Sequence, residues 1–264
     1  MNSLTAVFLF ELRRIMTPGR ACWWLVVAVF PLMITRLLMV SLNPPPHVTA
    51  EAIDNIYTIM LFFMVPAVSC MLGALLTAAP AVASELEQHS WVYYATRPNG
   101  LRYLLLGKYL VAVVWTATSA VTGVSAAVAL SPITEKMQTL SSLILLTALS
   151  AAAYSALYLM IGTIFRSRAI VFCVAYTAGV ELFLGSFPAL VNRMTLQYRL
   201  RSLLYHWTMG EHTIRNEHVR ELIASTDSPA VQILWLGGFL LLFLVAGLTC
   251  VRIREFTTAV ETDV

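Results

Sequence analysis

The sequence predicts an all-α, polytopic membrane protein, and three observations carry that prediction. Of 264 residues, 59% are hydrophobic and only 12% are charged, against roughly 45–50% and about 25% in an average soluble domain. Mean hydropathy is +0.77. Six stretches reach the ~20 apolar residues that a spanning helix needs: residues 21–42, 57–79, 103–130, 140–165, 169–191 and 230–251. So large an apolar surplus cannot be folded away inside a soluble globule of this length. A disordered chain, a nucleic-acid-binding module and a secreted disulfide scaffold are excluded on the same ground. Residues 1–264 read as one transmembrane domain without internal repeat.

Before the first span, residues 2–16 place Leu4, Phe8, Leu12 and Ile15 on one helical face and Glu11 and Arg14 on another. That spacing predicts an interfacial helix along the membrane surface, ended by Thr17-Pro18-Gly19. The first span is too long, and wrongly flanked, for a removable signal peptide. Asn43-Pro44-Pro45-Pro46 stops it.

After the second span comes a patterned connection, residues 84–98. Ser84 with Glu87 three residues on has capping-box spacing. Glu85 and Glu87 put negative charge at the positive end of a helix dipole. Leu86, Trp91 and Tyr94 follow as an apolar and aromatic surface, then Arg97-Pro98-Asn99-Gly100 leads into the third span, which Ser131-Pro132 ends. Beyond the fifth span, residues 192–228 carry Leu196, Leu200, Leu203, Leu204 and Trp207 at helical spacing, with Arg199 and Arg201 on the other side and Gly210 as a stop. A second short helix is expected over 213–224, and the pair would lie on the outer membrane surface or fold back into it. Ser228-Pro229 reads as an N-cap and a first helical position for the last span.

Orientation follows from Lys and Arg in the short loops. Arg13, Arg14, Arg20, Arg97, Arg102, Lys108, Arg166, Arg168, Arg252 and Arg254 fall on one side, while the opposite short loops hold only Lys136. Both termini are therefore expected in the cytoplasm.

No ATP-binding or catalytic motif is visible. Gly100 to Lys108 has the wrong gap for a Walker A loop, lacks Ser or Thr after the lysine, and enters a membrane helix. His206, His212 and His218, six apart, share no helical face, so no metal site is expected. Cys22, Cys70, Cys173 and Cys250 lie in apolar stretches and read as small hydrophobes. The chain is not expected to be an enzyme. Two ionisable residues do fall within spans, and such residues are functional candidates by default. Arg36, in the outer half of span one, is close enough to the end to snorkel. Glu181, near the middle of span five, must face a protein interior or an aqueous path, with Tyr154, Tyr158, Thr177, Ser186 or Arg36 as possible partners.

Six spans preceded by a cytoplasmic amphipathic helix resemble the architecture of type-2 ATP-binding-cassette (ABC) permeases. Phe10-Glu11-Leu12-Arg13-Arg14-Ile15 is similar to that family's N-terminal start. Glu85, Glu87, Ser90, Trp91, Pro98, Gly107 and Lys108 stand where the family shows Glu-x-Glu-x-Gly-Thr, a proline and an apolar run with Gly-Lys. Here His89 takes the place of the glycine and Ser90 that of the threonine. The resemblance implies a permease subunit in the inner (plasma) membrane, an exporter, that pairs with a second permease copy or homologue. Two separate ATPase subunits carrying ATP and Mg would dock on a coupling helix, with Glu85, Glu87, Ser90, Trp91, Tyr94 and Arg97 as contacts. It implies no cofactor in this chain and no nucleic-acid partner; membrane lipids surround it. Glu181 and Arg36 would be polar residues of the pathway. The apolar spans and amphipathic outer helices favour an amphipathic or lipid-like cargo. An ion-coupled secondary transporter and a non-transporting membrane assembly scaffold are the alternatives.

Overall fold

A computed structural model of the chain describes residues 3–41, 50–88, 90–96, 99–183, 190–208 and 227–253. Among these residues the protein is helical, with no strand. Five helical stretches are long and apolar enough to cross a membrane: Pro18–Ser41, Ala52–Glu87, Gly100–Leu130, Lys136–Ile164 and Pro229–Ile253. Asn43–Pro46, His89, Arg97, Pro98, Ser186, Gly210, His212, His218 and the helix expected over 213–224 lie outside the described residues.

Helix α1 (Ser3–Ile15) ends two residues before Thr17, and Pro18 opens α2 (Pro18–Ser41). Proline suits a first helical turn because the N–H it lacks would have no intrahelical partner. The second crossing starts as α3 (Ala50–Phe62), passes through a π-helical stretch at Phe63–Ser69, and continues as α4 (Cys70–Thr77). Pro66 accounts for the wide turns, since it cannot donate and crowds the preceding turn. The Ser150 hydroxyl donates to the Pro66 carbonyl, and the Ser69 hydroxyl donates to the Met64 carbonyl (2.9 Å).

The run Ala52–Glu87 is 36 residues, some 54 Å at about 1.5 Å per residue. That far exceeds the ~30 Å hydrocarbon core; its last turns form a separate helix, α5 (Ala81–Glu87). A short α6 (Trp91–Ala95) follows. The connection expected as one helix over 84–98 is thus two pieces. Ser84 does not cap a helix, because α5 already begins after Pro80; its hydroxyl donates instead to the Ala81 carbonyl (3.1 Å).

Helix α7 (Gly100–Leu130) starts after Asn99, whose left-handed backbone (φ 59°) makes the turn. It is followed by α8 (Lys136–Ile164). At the α7–α8 turn, Asp54 accepts from the Thr134 hydroxyl (2.6 Å) and backbone N–H, tying α3 to that end of the bundle. Helix α8 is the central post, with Tyr154 and Tyr158 among the largest fully buried side chains.

The fifth element, expected over 169–191, is described over part of that range. It runs as α9 (Ala169–Tyr176) with a π-helical extension Thr177–Phe183, and a 3-10 turn occupies Leu190–Met194. Its apolar helical portion, Ala169–Glu181, is too short to count among the five long helices. Helix α10 (Leu196–Thr208) then packs inside the bundle against α8 and α11 (Pro229–Ile253). Gln138 donates to the Trp207 carbonyl at one end of α10 (3.5 Å), and Gln197 meets Tyr154 at the other. Helix α10 is thus enclosed by its neighbours along most of its length. Its arginine side is covered too, with Arg199 buried alongside Leu200 and Leu203.

Candidate functional site

Two polar clusters stand out in this apolar molecule. The first lies where α1, α5 and α7 meet. Glu85 projects from α5 and is fully buried. Lys108 approaches it from α7 (Nζ to Oε1, 2.7 Å), Arg14 from α1 donates to the same oxygen, and the Ser90 hydroxyl donates to the other. Lys108 also pairs with Glu11 of α1 (3.2 Å), and Arg14 with Glu11 (3.4 Å) and Gln88. Two carboxylates and two cations thus form one neutral network that joins three elements.

Burial alone would raise the Glu85 carboxyl, but the charge and hydrogen bond of Lys108, with Ser90 and Arg14, outweigh it and hold the group below the ordinary carboxylate range. For Arg14, burial opposes the charge, yet the hydrogen bond to Glu85 and the fields of Glu85 and Glu11 outweigh it and raise its pKa.

The sequence around the network explains how α1 reaches it. A Cβ at Gly107 would stand 2.7 Å from Val7 Cγ1, so only glycine lets α1 settle against α7 there. Once α1 is seated, Glu11 and Ile15 face inward beside Val111 and Trp115, while Leu9 and Phe10 are exposed. The expected arrangement is inverted in part: the face with Glu11 points into the protein, because Lys108 and Glu85 supply the partners that water would otherwise provide.

The residues expected to contact a partner therefore divide. Glu85 and Trp91 (5% exposed) are internal, Ser90 is half-buried on Glu85, and Tyr94 is half-buried against the core. Glu87 is exposed, as are Gln88 and Tyr93 (74%). Arg97 lies outside the described residues. Tyr93 was not singled out from sequence; its place two residues after Trp91, on the opposite side of a short helix, is the signal that could have found it.

The second cluster surrounds Glu181, which is 2% exposed. Its Oε1 accepts from the Leu196 N–H (3.3 Å) and the Tyr176 hydroxyl (3.4 Å). Its Oε2 accepts from the Gln197 N–H (3.0 Å) and the Tyr154 hydroxyl (3.3 Å). The carboxyl therefore sits at the N-terminus of α10, where backbone donors have no intrahelical acceptor. Each oxygen faces a backbone N–H, a group that can only donate. A glutamine, with one oxygen and one NH2, could satisfy only one of them. Tyr158 and Thr177 share a hydrogen bond one turn away (2.5 Å). Arg36 is exposed on α2 and is none of the Glu181 partners.

Among the described residues, no group of three His, Cys, Asp or Glu could hold a metal ion. No family model matches the chain, and neither a curated protein nor a solved structure does.

Proposed function

We propose that this chain is the membrane subunit of an ABC exporter, working as a pair of permeases driven by separate ATPase subunits that carry ATP and Mg. The observation that carries the reading is the two-sided pair α5–α6. One side is locked by Glu85 and Trp91 into the bundle, and the other offers Glu87, Gln88 and Tyr93 to whatever lies beneath. A soluble motor that grips the exposed side would move α4, α7 and α1 together through Lys108 and Glu11, because the ion pairs leave α5 no independent freedom. Glu85 and Trp91 thereby become relay residues, and contact falls to Glu87 and Tyr93. The six-crossing topology belongs to the same proposal: α9 with its extension covers one half of the fifth crossing and α10 the other, meeting at Glu181. The apolar faces of α2 and α11 that no neighbour covers are the surfaces left for lipid and for a second copy.

Affinity purification of the tagged chain in mild detergent is expected to recover a stoichiometric soluble ATPase with a Walker A motif. Glu87→Lys with Tyr93→Ala should cut ATPase binding at least about tenfold, the size of one well-packed aromatic anchor, without lowering the melting temperature. Recovery of no ATPase under conditions that preserve a comparable complex would sink the reading. One observation favours a second reading, an ion-coupled transporter: a buried carboxyl at a break between two half-helices resembles the coupling sites of such proteins. In that case proton or cation flux into vesicles would require Glu181 and no nucleotide.

A further inference from the structure

An open cavity of about 230 Å³ lies where the start of α7 meets the end of α11, and no residue of either polar cluster lines it. Its lining sets two arginines, Arg102 of α7 and Arg252 of α11, beside the apolar Leu101, Leu248 and Val251. Both arginines are exposed, and no carboxylate stands among the lining residues. Among the described residues every ion pair falls on Glu11 or Glu85, and neither arginine shares in one. Each guanidinium carries five donors and no acceptor. Two like charges at one cavity repel, and an anion placed there relieves both. The start of α7 adds to the same field, because Gly100 opens the helix at the cavity and Asn99 gives it no side-chain cap.

The place of the cavity along α11 says what kind of anion fits. Residues 230–251 hold no Asp, Glu, Lys or Arg. That uncharged run spans about 33 Å at about 1.5 Å per residue, close to the ~30 Å of a hydrocarbon core. Arg252 is the first charge beyond it, so it comes where acyl chain gives way to headgroup. Inward from there, Val245 and Leu241, 56% and 63% exposed, continue the face of α11 that carries Leu248, at steps of three and four residues. The volume is below the ~300–1,000 Å³ of a site that encloses a whole drug-sized ligand. It suits a headgroup whose chain lies outside, along that face. A basic pocket between two spanning helices at this depth selects an anionic headgroup.

We propose that this cavity binds the phosphate of an anionic phospholipid between Arg102 and Arg252, with an acyl chain along Leu248, Val245 and Leu241. The site rests on the chain being a membrane protein, not on the ABC reading. Native mass spectrometry of the full chain in detergent tests it, with phosphatidylglycerol, phosphatidylcholine and inorganic phosphate added separately. Wild type should hold one phosphatidylglycerol, and more tightly than phosphatidylcholine, whose choline brings a positive charge toward the arginines. Arg102→Gln and Arg252→Gln should each weaken it about fivefold, the worth of one basic residue near an anionic surface. Leu248→Trp, which fills the cavity and keeps both arginines, should weaken it as well. Arg168→Gln removes an exposed cation that does not line the cavity and should leave binding unchanged. Melting temperature is measured on each variant, and all are expected to fold because the arginines replaced are exposed. An equal loss in Arg168→Gln, or equal binding of phosphatidylcholine, overturns the proposal, as does unchanged binding when Arg102→Gln and Arg252→Gln are combined. Inorganic phosphate binding as tightly as the lipid would overturn the lipid as occupant. Glu255, Glu261 and Asp263 follow Arg252 in the sequence and are rival anions. Phosphatidylglycerol that binds only after Glu255→Gln, Glu261→Gln and Asp263→Asn are combined would make that acidic segment the occupant instead.

Discussion

Lys108 faces two carboxylates, Glu11 and Glu85, from a position 8% exposed, so its removal leaves more negative charge than Arg14 alone can neutralise. Breaking a buried pair by deleting one partner is strongly destabilising, and Lys108→Met should cost about 3 kcal/mol, read as a lower melting temperature in detergent. The pH dependence tests the same network from the other partner. The folded state holds the Glu85 carboxyl below its unfolded value of about 4.3. Its contribution is therefore complete above that unfolded value and is lost as pH falls through the lower folded one. The stability gap between wild type and Glu85→Gln should stay level from about pH 8 down to about pH 5 and close below about pH 4. A gap that closes between pH 7 and pH 5 would mean that Glu85 is not held by these cations. Glu85 itself was legible as a functional candidate from its place after span two. Its partners were not, since Arg14 lies 71 residues away on another element and nothing local marks the pairing.

At the scale of elements, backbone contacts decide what a helix can do. Helix α1 sits on α7 only because Gly107 admits Val7, and Gly123 likewise lets α7 approach the Ala28 carbonyl of α2 at a virtual Cβ distance of 2.8 Å. Gly107→Val should therefore lift α1 off the bundle without unfolding it. Tryptic cleavage after Arg13 or Arg14 is the readout, and it should quicken severalfold relative to Gly123→Ala, which disturbs a different pair. Unchanged cleavage would mean that α1 is held by its ion pairs alone. The last helix start was legible at Pro229, since that position needs no N–H, whereas Pro18, read from sequence only as the end of α1, also opens α2. Helix α10 was harder. Its leucines repeat at a spacing that an interfacial helix and a buried one share, and only the cover over Arg199, supplied by Gln232 and Trp235 from α11, distinguishes them. The π-helical stretch at Phe63–Ser69 could have been suspected from Pro66 alone.

For the whole molecule, sidedness is the premise beneath the ATPase reading. The ATPase reading needs α5–α6 on the cytoplasmic face, where the arginine asymmetry of the sequence predicts it, with the α7–α8 turn expected outside. Two exposed residues test this without touching either cluster: Tyr93 on α6 and Met137 at the start of α8, 74% and 82% exposed. Cys70 and Cys173 are buried and Cys250 is half-buried, whereas Cys22 is exposed and would be replaced by serine first. In intact cells, a membrane-impermeant maleimide should label Met137→Cys and spare Tyr93→Cys, which reacts only after permeabilisation. About 31 residues of α7 separate the two sites along the fold, some 46 Å at about 1.5 Å per residue, enough to place them on opposite sides of a ~30 Å core. Labelling of Tyr93→Cys alone would invert the molecule, leaving α5–α6 out of reach of a cytoplasmic ATPase. Labelling of both in intact cells would deny that α7 crosses at all, and the network at Lys108 would then be a surface feature rather than a relay into the membrane.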